Sequence, residues 1–177
     1  VDALLDIMWH RGLKADDIKH VLTSVSAAAV GNLMYDHPTQ EMEARFSMPF
    51  CISAAALDGD LTLPTFRRLA LDRSDIRSWM PKVSMVCDPA QPAAMPSTVK
   101  SWAEVTVQTL KGDTWTQRVV DPKGYPDCPL SEDDLERKFA DCVQEQMPVV
   151  RDSWELWRGV GAQTSLRRMG RLLSQVQ

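Results

Sequence analysis

Apolar residues in the first dozen positions recur at helical spacing, with Leu4, Leu5, Met8 and Trp9 sharing a face and Gly12 ending the run. Ala15-Asp16-Asp17 reads as a turn. Ile18 to Ser26 then alternates with period two, as a half-buried strand does. Ala27 to Gln40 carries turn residues at Gly31-Asn32 and Asp36-His37-Pro38 and is predicted as a loop. A small-residue helix follows. Ser47 caps it, Pro49 occupies the first turn where a missing N–H costs nothing, and Ala54, Ala55 and Ala56 allow close packing before Gly59 stops it. Two short helices are predicted next, over Thr62 to Leu71 with Pro64 in the first turn and over Asp72 to Met80 with Asp72 or Ser74 as cap. Lys82 to Cys87 alternates again, placing Val83, Met85 and Cys87 on one face.

Prolines 89, 92 and 96 make Asp88 to Ser97 a loop. Trp102 to Leu110 and Thr114 to Val120, joined by Lys111-Gly112-Asp113, form the clearest hairpin signal in the chain, with Val105 and Val107 on one face and Trp115 and Val119 on one face. Asp121 to Leu130 is a second Pro/Gly loop. Ser131 opens a strong helix through a capping box with Asp134, and Leu135, Phe139, Cys142, Val143 and Met147 are its apolar stripe. A last helix is predicted from about Thr164 to Gln175. The pattern is α+β: a mostly antiparallel sheet of about four strands with helices packed on one face. No repeat, heptad or internal boundary interrupts it, so residues 1–177 read as a single domain.

Composition narrows the function classes. A formal charge of −4 provides no basic stripe to neutralise phosphates, which argues against nucleic acid. No apolar run approaches the roughly 20 residues that span a bilayer. Cys51, Cys87, Cys128 and Cys142 are scattered without a CxxC pair, which fits free thiols in a reducing, cytoplasmic setting better than a disulfide framework or a metal site. The chain opens inside a helical pattern without an initiator methionine, which reads as truncation or processing and leaves room for chemistry upstream of Val1.

Few residues look catalytic on their own. His10 lies near a helix end, His20 in mid-strand and His37 before Pro38 in a loop, and no nucleophile, phosphate-loop or metal-protease motif accompanies them. Arg45 just before a capped helix start is a natural place for an anion such as a substrate carboxylate. A buried structural helix beside a surface arginine has the same signature.

The run Glu43-Ala44-Arg45-Phe46-Ser47-Met48-Pro49-Phe50 followed by Ala54-Ala55-Ala56-Leu57-Asp58-Gly59 resembles a signature of the MmgE/PrpD family. The hairpin around Lys111-Gly112-Asp113 is similar to that family's closing hairpin. Pro122-Lys123-Gly124, then Pro129-Leu130-Ser131, Leu135 and Lys138-Phe139, resemble the stretch that follows it. The family dehydrates 2-methylcitrate, decarboxylates cis-aconitate or epimerises iminodisuccinate. The resemblance is to its smaller C-terminal domain, the partner of a large N-terminal helical domain that carries the principal catalytic residues.

It implies a cleft between the two domains that binds a small polycarboxylate, with Arg45, Ser47 and Phe50 of this chain on the substrate side. It implies no catalytic residue within this chain, no metal, no organic cofactor, and a homodimer. Several members carry tyrosine where this chain has Phe50, so a hydroxyl is missing and the substrate stays open. The isolated domain is expected to be inactive, and a non-catalytic interaction or dimerisation module is the alternative.

Overall fold

The computed structural model describes residues 1–91, 100–143 and 154–159, with 161, 167, 170, 171 and 174 besides. They fall into two units, Val1–Cys128 and Pro129–Gln177.

The first unit is organised around strand β1 (Ile18–Val25). β2 (Val83–Cys87) lies on one side of it and β3 (Ala103–Thr109) on the other, and β4 (Thr114–Val119) completes the order β2-β1-β3-β4. β1 and β2 run parallel, while the β1–β3 and β3–β4 pairs are antiparallel. The α+β class and four strands are therefore as expected, with one parallel pair in a mostly antiparallel sheet. The β3–β4 hairpin turns at Gly112, whose φ of 94° lies in the region glycine enters without a Cβ clash. It sets Val107 opposite Trp115 and Ala103 opposite Val119. A register shift between Ile18 and His20 puts Ile18 and Val21 on the same face, which strict alternation would forbid. Both are fully buried.

Helices α1 (Asp2–Arg11), α2 (Ala27–Asn32), α3 (Glu41–Arg45), α4 (Met48–Asp58), α5 (Arg68–Leu71) and α6 (Ser74–Trp79) complete this unit. α4 is buried from two sides. Ile52, Ala55 and Ala56 join Leu4 and Ile7 of α1 and Val21, Val83, Val105 and Val107 of the sheet in one cluster. Phe50 and Ala54 join Ala44, Leu71, Ile76 and Met80 in a second. A helix apolar all round is stable only when enclosed in this way. Its ends match the sequence reading: the Ser47 hydroxyl accepts the Phe50 N–H at 3.2 Å, and Gly59 closes it at φ 78°. Outside it, the Arg77 guanidinium fastens the connections by donating to the carbonyls of Leu71 at 2.8 Å and Pro38 at 2.7 Å.

Several elements differ from expectation. Trp9 is 84% exposed; it lies about 140° around the helix from Leu4, so Ala3, Leu4 and Ile7 form the buried stripe instead. The expected loop after Ser26 contains α2, because Ser26 itself caps it by accepting from the Ala29 N–H. Thr62 to Leu71 divides into a 3-10 turn at Pro64–Phe66 and the short α5. α6 begins at Ser74 with no side-chain cap, so neither proposed capping residue serves.

In the second unit, Ser131 and Asp134 form the expected capping box at the start of α7 (Glu132–Val143), the hydroxyl accepting from Asp134 N–H and the carboxylate from Ser131 N–H, each at 3.1 Å. Phe139 packs its ring against Trp154 and Trp157 of α8 (Trp154–Arg158), with centroids 5.3 and 6.2 Å away. Val143 is buried, whereas Leu135 and Cys142 are exposed, so the stripe is narrower than predicted. Met147 and most of the predicted last helix lie outside the described residues.

Removing the Ser47 hydroxyl leaves the buried Phe50 N–H without an acceptor. Ser47→Ala is expected to cost about 1–2 kcal/mol, read as a lower urea midpoint with an unchanged slope.

Candidate functional site

The segment from Thr39 to Phe50 is a short helix feeding directly into a long one. α3 is held at its start by Glu43, whose carboxylate accepts from the Thr39 N–H at 2.7 Å, the Thr39 hydroxyl at 3.0 Å and the Gln40 N–H at 3.3 Å. These donors hold the Glu43 carboxyl below its usual range. The spacing Gln40-x-x-Glu43 is the signal that would have located α3 from sequence. One residue past the end of α3 the chain pairs back on itself, with Tyr35 N–H donating to Phe46 O and Met34 bridging Ser47.

This arrangement separates the three candidate residues. Arg45, the last residue of α3, is exposed. Its guanidinium carbon lies 5.7 Å from the centre of the Phe66 ring, and no carboxylate among the described residues pairs with it. Ser47 is fully buried and its hydroxyl is committed to the Phe50 N–H. Phe50 is fully buried too, its ring 6.2 Å from that of Phe66. Phe66, which sequence reasoning treated as an ordinary helix residue, thus lies between core and surface: Phe50 packs on its inner side and Arg45 stands over it outside.

Arg45 lines a shallow groove of about 420 Å³ with Gln40, Glu41, Met42 and Arg68. Arg68 is already engaged. Its guanidinium donates to Asp72 and to the Thr39 carbonyl, both at 3.0 Å, and its backbone N–H to Glu41 at 3.0 Å. Among the described residues, no carboxylate neutralises Arg45 in this groove, whereas Arg68 is paired with Asp72. The helix start contributes less than the sequence implied. Pro49 has no N–H and Ser47 takes that of Phe50, so among the first three positions of α4 only the Met48 N–H is left for an anion.

The histidines stand apart from this groove. His10 Nδ1 lies 2.8 Å from Asp6 O, and His20 Nε2 lies 2.9 Å from the Ser84 hydroxyl on the sheet. His37 is exposed in its loop. Cys51, one residue beyond Phe50, is half-buried, and burial pushes its thiol up to about 11. On the other side of α4, Met48 lines an apolar cavity of about 690 Å³ together with Val25, Val105 and Val119.

The family description "MmgE/PrpD C-terminal domain" matches residues 1–156, which include the whole Thr39–Gly59 segment and the β3–β4 hairpin. The chain belongs to the MmgE/PrpD family. Among its relatives, cis-aconitate decarboxylase of Homo sapiens is 32% identical over 127 residues, covering 72% of this chain and 25% of that protein. Cis-aconitate decarboxylase of Mus musculus is 30% identical over 125 residues, covering 71% and 25%. The matched part of the chain thus corresponds to a quarter of the length of these curated MmgE/PrpD relatives. No described helix is long and apolar enough to cross a membrane.

The half-buried thiol gives a direct check on the geometry. At pH 8, Cys51 is expected to resist alkylation in the folded chain while exposed Cys87 reacts, and to react once urea unfolds the first unit; peptide mass spectrometry reads both. Rapid modification of Cys51 in the folded protein would contradict its burial.

Proposed function

We propose that this chain is the smaller, C-terminal domain of a cofactor-free lyase or isomerase acting on a small di- or tricarboxylate. In this reading it closes over a cleft shared with an N-terminal helical domain. Arg45 holds a substrate carboxylate there, and Ser47 and Phe50 fix the segment that presents it. The observation that carries the reading is an exposed guanidinium with no carboxylate partner among the described residues, held over Phe66 within a family-matched segment. The relatives' name supports the substrate class, since cis-aconitate is a tricarboxylate.

The chemistry follows from what such a group can do. A proton on carbon next to a carboxylate is removed more easily when the charge building on that carboxylate is neutralised, and a guanidinium does so with two parallel N–H donors. The carbanion then expels a neighbouring leaving group or is reprotonated. Among these outcomes are dehydration, as on 2-methylcitrate, and epimerisation. Decarboxylation is the converse case, in which loss of carbon dioxide generates the carbanion that is protonated. This chain supplies binding and charge; the proton-transferring groups belong to the N-terminal domain. Phe50 offers no hydroxyl, so any proton donated from that position in other members must come from elsewhere.

A second reading, an interaction or dimerisation module of a cytoplasmic homodimer, draws on apolar side chains left in solvent. Trp9 is 84% and Leu69 87% exposed. Kinetics on the full-length protein separate the two. With a panel of 2-methylcitrate, cis-aconitate, citrate and iminodisuccinate, Arg45→Ala is expected to raise KM roughly 10- to 100-fold on the accepted substrate. Arg45→Lys should recover part of that loss. Because Arg45 is exposed, its removal should leave the urea midpoint nearly unchanged. An unaltered KM would remove Arg45 from the site, and a full-length protein inert toward the whole panel would favour the interaction module.

A further inference from the structure

The Pro122-Lys123-Gly124 stretch is absorbed neither by the groove at Arg45 nor by the sheet. It forms the tip of a turn, Asp121 to Cys128, that closes on itself. Gly124 N–H donates to Cys128 O at 2.7 Å, Cys128 N–H to Tyr125 O at 2.9 Å and Tyr125 N–H to Pro122 O at 3.1 Å. Gly124 takes φ 98°, and Tyr125 bridges Cys128. Two prolines stiffen the turn further. A segment with its own bonds moves as one body when its outer attachments yield.

The turn's outer attachments include ion pairs that face solvent. Lys100 Nζ donates to Asp121 at 2.6 Å and also to Asp127, so one ammonium ties both ends of the turn. The tip is held by Lys123 N–H donating to Asp2 at 2.8 Å. The Lys100 side chain is 53% exposed and that of Asp127 67%, conditions in which an ion pair is weak and readily exchanged for water. Beneath, Pro122 and Tyr125 form one wall of the cavity of about 690 Å³, whose other walls include Val25, Val105 and Val119 and which reaches Met48 at the start of α4. That volume suits a small molecule, and its lining is mainly apolar.

We propose that residues 121–128 are a strap along one wall of this cavity, latched by Lys100, and that releasing the latch widens its mouth while the sheet stays intact. The inference concerns the far side of α4 from Arg45 and stands whether or not the polycarboxylate reading holds. Nothing in it requires a particular guest; the latch governs access.

Hydrogen exchange on the 177-residue chain, read by NMR, tests it. Lys100→Ala is expected to speed exchange at the Lys123 amide, which donates to Asp2 outside the turn, roughly three- to tenfold, with the turn's own Gly124, Tyr125 and Cys128 amides and those of β1 and β3 unchanged. Lys100→Arg should restore protection. In parallel, anilinonaphthalene sulfonate is expected to fluoresce more with Lys100→Ala than with the unaltered chain. That gain would run against the loss of a cation facing an anionic dye, and so would report newly open apolar surface. Unchanged exchange at the Lys123 amide, an unchanged dye signal, or faster exchange spread through β1 and β3 would each overturn the proposal, the last by making Lys100 a general brace.

Discussion

Everything in the first unit depends on how closely other elements approach α4. Its three consecutive alanines present almost no side chain, so the sheet with α1 can close on one side while α3, α5 and α6 close on the other. Burial on both faces, rather than helix propensity, stabilises such a helix: Ile52 and Phe50, both fully enclosed, each contribute about 2–3 kcal/mol of transfer free energy. The same closeness leaves no room for growth. A larger residue at Ala54 or Ala55 would have to push apart two clusters packed at crystal-like density. The Ser47 cap and the left-handed Gly59 fix where this helix starts and stops, and hence where Arg45 and the following loop leave it.

From that framework the candidate site inherits an unusual division. Phe66 takes part in both environments, packed against buried Phe50 within and facing the Arg45 guanidinium without. An aromatic face in contact with a cation stabilises it modestly and keeps its donors turned outward. Position and charge are thus supplied by different residues: the buried ones set geometry, and the exposed Arg45 guanidinium meets the solvent. The acidic neighbours Glu41, Glu43 and Asp72 are occupied with backbone groups and Arg68, which leaves the Arg45 charge available.

Much of this was legible in the chain. Period-two alternation located all four strands, and Ser47 with Gly59 marked both ends of α4, because those signals are local and carry their own physics. The parallel β1–β2 pairing was not legible, since strand direction is settled by the intervening helices and not by either strand. Trp9 misled because two overlapping apolar stripes exist on α1 and only packing chooses between them. α2 was hidden by turn-forming Gly31-Asn32 at its end, although Ser26 was a visible cap. At the site, Arg45 could be picked out, but Phe66 could not, because its importance comes from a tertiary contact with no sequence period. Ser47 and Phe50 are both fully buried.

The parallel pairing of β1 with β2 also dictates an order of assembly. Two parallel neighbours cannot be joined by a tight turn, and here the crossover carries α2 through α6, the Arg45 segment included. On a growing chain, β1 therefore emerges with both edges bare. One edge waits for Val83–Cys87 and the other for Ala103–Thr109. Until then Val21 and Val25 have no strand beside them, and a chain interrupted anywhere in the crossover would present that unpaired edge to its neighbours. Faults in the helical crossover should consequently surface first as insoluble protein during synthesis.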